Sequence, residues 1–183
     1  MKKSKKWFLT IGISSMFMVN ITNVNAYQFW QSGVTNPRNV TIYNMSSTSG
    51  YSAISYYSKW TSTGIKFANY NNGFSSDIVN GVVNQDNGTY AVTKYKSWGK
   101  FNIIYYKAFI ETSLAWQRET VVHEVGHALG LDHTQKSNDS ISVMRELGFN
   151  NKAYPLSDDI KGIKAKYKFW KETVRIWKII NLC

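Results

Sequence analysis

"VVHEVGHALGLDH" (121–133) holds every histidine of a 183-residue chain. Successive residues of an α-helix are turned by about 100°, so His123 and His127, four apart, stack on one face. Two imidazoles placed like this can reach one small ion at about 2.1 Å each. Glu124 sits one position round, where it can touch a water on that ion without displacing a ligand. Gly130 supplies the turn that follows, because glycine enters the left-handed conformation that ends a helix and redirects the chain. His133 can then swing back to the ion. Three neutral imidazoles and one open position describe a catalytic zinc site, whereas structural sites are closed by four protein ligands.

Working outward, the flanking segments set the fold class. "NVTIYNM" (39–45) alternates like a strand, and "YSAISYYSKW" (51–60) places Tyr51, Ile54, Tyr57 and Trp60 at helical spacing. "GIKFANY" (64–70) and "DIVNGVV" (77–83) read as strands, the second weakened by Gly81, and "NQDNG" (84–88) reads as a turn. "TYAVTKY" (89–95) and "KFNIIYYKAF" (100–109) are rich in β-branched and aromatic residues and predict two more strands. From about residue 112 to 130 the pattern is helical, with Val121, Val122, Val125, Ala128 and Leu129 on an apolar face. A last helix is expected from Ser157 as N-cap, with Asp158 and Asp159 in its positive first turn. This order predicts an α+β fold with one mixed sheet.

The chain ends read differently from its middle. Residues 1–26 open with four lysines, continue through an apolar run from Trp7 to Val19 and close on Val24-Asn25-Ala26. That pattern predicts a signal peptide cleaved after Ala26, and so a secreted protein starting at Tyr27. Loss of the four lysines takes the formal net charge from +11 to +7. Cys183 is the only cysteine, so no bridge can form within the chain, although one between two chains could. Residues 169–183 recur apolar at Trp170, Val174, Trp177 and Ile180, opposite Lys171, Arg175 and Lys178. A basic amphipathic extension of this kind can lie on an anionic membrane or cell-wall surface, or pack back on the domain. The basic charge is accompanied by no nucleic-acid recognition motif, and export argues against that partner. A monomer is expected.

With Met144 placed eleven residues after His133, "HEVGHALGLDH" resembles the H-E-x-x-H-x-x-G-x-x-H signature and Met-turn of metzincin zinc peptidases. Thr134 after the last histidine makes it most similar to the matrixins, the catalytic domains of matrix metalloproteinases. "LSDDIKGIKAKY" (156–167), "KWTSTGIKFAN", "SDIVNGVV" and "GTYAV" resemble matrixin segments in the same order. The resemblance implies a metzincin-like mixed, twisted sheet with an active-site helix and a C-terminal helix, spanning residues 27–168. It implies a zinc endopeptidase acting on protein or peptide substrates. One Zn2+ would be held by His123, His127 and His133, with Glu124 as general base and Met144 as floor. "GTYAV" would be the strand beside which an extended substrate lies, with Ala91 near the scissile bond.

The chain also departs from that family. Val92 stands where the family places a histidine, and no histidine lies outside the motif, so a second, structural zinc is not expected. Calcium (Ca2+) finds little to bind, with only Asp77 and Asp86 between residues 27 and 110. Arg145 and Glu146 follow Met144 where a proline is usual, so the side-chain preference of the main specificity pocket does not carry over. No pro-segment with a switch cysteine is apparent, which predicts an enzyme active on export. Asp158 or Asp159 would either pair with the Tyr27 amine or serve as helix-start acids. Two other readings remain: an exported, non-catalytic surface-binding protein with a structural zinc, and a peptidase of cell-wall peptides.

Overall fold

The computed structural model describes residues 27–30 and 32–168. The signal-peptide reading of 1–26, the amphipathic reading of 169–183 and Cys183 lie outside the described residues. Four strands form one sheet: β1 (Ile42–Asn44), β2 (Ile78–Val82), β3 (Ala91–Ser97) and β4 (Lys100–Tyr105). Their order is β1-β2-β4-β3, with β1, β2 and β4 parallel and β3 antiparallel to β4 at the edge. Three helices follow: α1 (Lys107–Glu111), α2 (Leu114–Ala128) and α3 (Ser157–Lys166). The fold is therefore α+β around a mixed sheet.

β2 is buried at every position, Gly81 included, so its sequence does not alternate apolar with exposed residues, and its one polar side chain, Asn80, donates to Asn44 Oδ1 at 2.8 Å. Helix α2 starts at Ser113, whose hydroxyl accepts from the Trp116 N–H, and packs Val121, Val122, Val125 and Ala128 into the core with no exposure. Ile78, Phe101, Ile103, Tyr105 and Phe109 meet them from the sheet side. The α2 face is thus held by core packing, the largest stabilising term available to such a domain.

The segment 51–60 is helical as expected, but as a 3₁₀ helix spanning Ser52–Thr63. Ile54, Tyr57, Trp60 and Thr63 repeat every third residue on its inner side, while Ser52, Ser55, Ser58 and Thr61 repeat on the exposed side. A 3₁₀ helix eclipses residues three apart, which suits that repeat. The Ser55, Ser58, Thr61, Ser62 and Thr63 hydroxyls each donate to the carbonyl three residues back, which adds a local tie at every step.

Four sequence expectations need correction. Residues 64–70 form no strand, only a single parallel bridge of Phe67 with Val40, because the turn-forming Asn69–Gly73 stretch leads the chain away after Ala68. The 100–109 run is a strand only to Tyr105. Beyond it, Lys107 and Glu111 pair at 3.6 Å across one turn of α1 and Phe109 is buried. The N-cap of α3 is Leu156, not Ser157, because the Asp159 carboxylate reaches back 2.7 Å to the Leu156 N–H. Residues 84–88 form no hydrogen-bonded backbone turn: the segment is irregular, with Gly88 at φ 71° and its N–H on Asp86 Oδ1 at 2.9 Å, and it joins β2 to β3, which are not neighbours.

Candidate active site

His123, Glu124 and His127 sit on the last turns of α2, and Gly130 at φ 88° ends the helix as its sequence requires. The Lys166 side chain lies against Gly130, but it is long and flexible, so the turn needs glycine for its positive φ. The N-terminal segment secures the exit. Trp30 N–H donates to Gly130 O, Val34 N–H to Ala128 O, and Asp132 N–H to Gln28 O. His133 is thereby returned to the two helical histidines. One ligand atom from each of the three rings lies within 4.8 Å of the others.

The proton positions follow from the partners. His123 Nδ1 is 2.9 Å from Val143 O, and His127 Nδ1 is 2.9 Å from Leu131 O. Carbonyls only accept, so each Nδ1 carries the hydrogen and each Nε2 presents a lone pair. The two Nε2 atoms approach to 3.1 Å. Two lone pairs facing at that distance have no hydrogen to share. They suit two tetrahedral bonds of about 2.1 Å to one ion. Burial, the leading cause, lowers both imidazoles from 6.5 to about 4, so they are neutral and ready to ligate at pH 7. An all-nitrogen, three-imidazole set with backbone carbonyls behind it fits zinc.

Glu124 is 7% exposed, and burial pushes its carboxyl above the usual range against the pull of His127, Thr93 and His133. Thr93 on β3 places Oγ1 at 2.6 Å from Glu124 Oε2 and 2.9 Å from the Glu124 carbonyl oxygen. A hydroxyl has one proton, so it can donate to only one of these at a time. When the carboxyl is protonated it donates to Oγ1, and the hydroxyl turns to the carbonyl. The pair thus accommodates both protonation states of the glutamate.

Met144 is buried and presses with Trp60 on Gly126, between the two helical histidines; a Cβ there would strike both side chains. Trp60 Nε1–H donates to Val122 O at 2.9 Å. The Ser142–Met144 segment is held by α3. Ser142 Oγ donates to Asp159 Oδ1, and Val143 N–H donates to Asp159 Oδ2 at 2.8 Å. Asp158 accepts from Thr134 Oγ1, beside His133, at 2.8 Å. Both aspartates therefore brace the loops that carry Val143 O and His133. Tyr27 packs on the same helix at Gly162.

Beside His123 and Glu124 opens a cavity of about 270 Å³, walled by Thr89–Ala91 on one side and Val143–Phe149 on the other. Its wall contains the buried ion pair of Arg145 Nη2 with Glu119 Oε1 at 2.8 Å. Glu119 also accepts from the Asn150 and Lys152 N–H groups. Ala91 lies on the cavity rim at the start of the edge strand. Thr93, Glu119 and Asp159 were not singled out for these roles by their sequence context. Each acts across a long separation in the chain, and no local pattern announces it.

An imidazole triad on a helix and its glycine exit, with a buried carboxyl alongside, is a set of groups that could hold a metal ion. The chain belongs to the matrixins, a metallopeptidase family whose sequence model matches residues 18–168. No curated protein matches the chain. Among solved structures, the chain is similar to one in the GM1-bound form of the ECX AB5 holotoxin. That match has a TM-score of 0.52 at 15% identity and covers 76% of this chain and 84% of that chain. At this identity the likeness concerns the fold alone.

Proposed function

We propose that the protein is a secreted zinc-dependent endopeptidase, with His123, His127 and His133 as the metal ligands and Glu124 as the general base. The observation that carries this reading is the pair of Nε2 lone pairs turned on each other at 3.1 Å, with a carboxyl one residue away. Family membership supports the metallopeptidase chemistry. Zinc bound there would supply Lewis acidity, acidifying water and polarising a peptide carbonyl.

The chain's own residues supply the rest. Val143 O and Leu131 O fix the ring orientations of His123 and His127. Glu124, its affinity for a proton raised by burial, takes one from the attacking water and returns it to the leaving amine. Thr93 holds that carboxyl in either state. An extended substrate adds to the free edge of β3 near Ala91, with one side chain in the cavity between Thr89–Ala91 and the 143–149 wall. The polar pair Glu119–Arg145 in that wall disfavours a long aliphatic side chain there.

Residues 27–168 form the catalytic domain in this reading, with 1–26 as signal peptide and 169–183 as a basic surface-binding extension. The test compares wild type and Glu124→Ala on a generic protein substrate, with and without chelator. Wild type should cleave, chelator should abolish cleavage, and Glu124→Ala should bind about one zinc per chain while failing to cleave. Proteolysis by the variant would remove Glu124 from the mechanism. Zinc binding without any proteolysis by wild type would favour the non-catalytic alternative.

A further inference from the structure

The edge strand carries more than backbone. β3 leaves the site at Thr93, which is tied to Glu124, and runs away from the 270 Å³ cavity through Lys94, Tyr95, Lys96 and Ser97, all exposed. Successive strand residues face opposite sides, so Lys94 points away from the face on which Thr93 meets α2. Lys96 is the extra residue at the bulge between Tyr95 and Ser97, where the ladder with β4 is interrupted. Neither lysine is in an ion pair with any described residue. From residue 87 to residue 110 the chain has four lysines and no acidic residue. A peptide laid along this edge on the side of the scissile bond away from the cavity therefore meets two unneutralised cations in succession.

We infer that Lys94 and Lys96 select acidic residues in the substrate, on the side of the scissile bond remote from the cavity, which makes extended acidic peptides the preferred substrate class. The inference rests on the peptidase reading above. Its physical basis is the cross-strand pair: opposite charges on adjacent strands attract, like charges repel, and the effect is direct because the side chains stand about 5 Å apart. A basic peptide on the same edge meets repulsion at the same positions, so the lysines reject as well as attract.

The experiment uses the zinc-loaded protein and three peptides that share one scissile sequence but carry Glu, Gln or Lys at the positions facing Lys94 and Lys96. Wild type should cleave the Glu peptide about fivefold faster than the Gln peptide in kcat/KM, and the Lys peptide slowest. Lys94→Glu/Lys96→Glu should reverse that order, with its zinc content and thermal midpoint showing that it is folded. Equal rates on the three peptides by wild type would overturn the inference while leaving the peptidase reading in place. An acidic preference that persists in the double variant would overturn it too, since the preference would then come from other residues. Cleavage of none of the three removes the peptidase reading, and the inference with it.

Discussion

Two walls face the same cavity, and they are built by opposite rules. The α2 wall sets His123 and Glu124 on a helix whose other side, Val121, Val122 and Val125, is sealed in the core. The facing wall, Val143–Phe149, has no helix or strand and is held by two carboxylates outside it, Asp159 of α3 and Glu119 of α2 itself. Asp159 grips Ser142 and Val143, and Glu119 grips Arg145, Asn150 and Lys152. One wall is an apolar construction with polar groups on its face. The other depends on buried charge. Substitutions should separate them: changes to the metal-site face of α2, His123 and Glu124, should cost function and spare stability, and changes to the carboxylates that hold the loop wall, Glu119 and Asp159, should cost stability first.

The largest expected effect is on the α2 side. His123→Ala removes a ligand without opening the core, since the imidazole lies on the cavity face of α2. Zinc affinity should fall by more than about 100-fold and peptidase activity with it. The urea midpoint of the metal-free form should stay near that of wild type. A large drop in metal-free stability would show that this wall is not the self-supporting element described.

Glu119→Ala tests the other wall. It strands the Arg145 guanidinium, 11% exposed, and frees the N–H groups of Asn150 and Lys152. Breaking one partner of a buried ion pair costs about 3–5 kcal/mol, measurable by urea unfolding. Replacing both partners, Glu119→Leu with Arg145→Met, should recover most of that loss. A Glu119→Ala cost no greater than that of an ordinary surface substitution would erase the contrast between the walls.

Acid should distinguish the ligands from the braces. His123 and His127 are lowered by burial to about 4, below their ordinary 6.5. Between pH 6.5 and 4 the unfolded chain therefore binds protons that the folded metal-free chain does not. Their share of stability is full above about 6.5 and is lost as pH falls toward 4. Glu124, Asp158 and Asp159 are shifted upward by burial, so their shares have the opposite sign, gained as pH falls. The difference in thermal midpoint between metal-free wild type and His123→Gln, followed from pH 7.5 to 4.5, isolates one imidazole. Wild type should lose midpoint relative to the variant on acidification. Bound zinc should hold the rings neutral and move the loss to lower pH.

What the sequence makes legible follows the same division. The histidine spacing, the Gly130 exit and the apolar stripe of α2 are periodic and local, so they can be read in thirteen residues. The every-third-residue repeat of Ile54, Tyr57 and Trp60 is equally local, and it becomes a 3₁₀ helix because serines and threonines close it from the other side. The 64–70 segment looked like a strand on composition, yet whether it pairs depends on where Asn69–Gly73 sends the chain. Glu119 and Arg145 stand 26 residues apart, and Thr93 and Glu124 stand 31 apart. No periodicity links Thr93 to Glu124, which meet only when β3 packs on α2, or Glu119 to Arg145, which meet only when the 143–149 loop folds against α2. Asp158 and Asp159 do carry a local signal as helix-start acids, and that signal hides their second use as braces.

The smallest expected effect falls where the two kinds of construction meet, at Thr93. Its hydroxyl belongs to the edge strand and its partner to the helix, so it orients the base without touching the metal ligands. Thr93→Val keeps the shape, removes the proton and leaves Glu124 Oε2 without its 2.6 Å partner. Loss of one positioning hydrogen bond to a charged group is worth about 1.5–3 kcal/mol, which is about tenfold or more in kcat. KM should change little, because the substrate binds to the strand backbone and that is unaltered. Thr93→Ser restores the hydroxyl and should restore most of kcat, which a packing role for the Thr93 methyl would not allow. Equal loss in the valine and serine variants would assign Thr93 to the core. A fall in kcat confined to valine would show that the edge strand orients the base as well as offering a place for substrate.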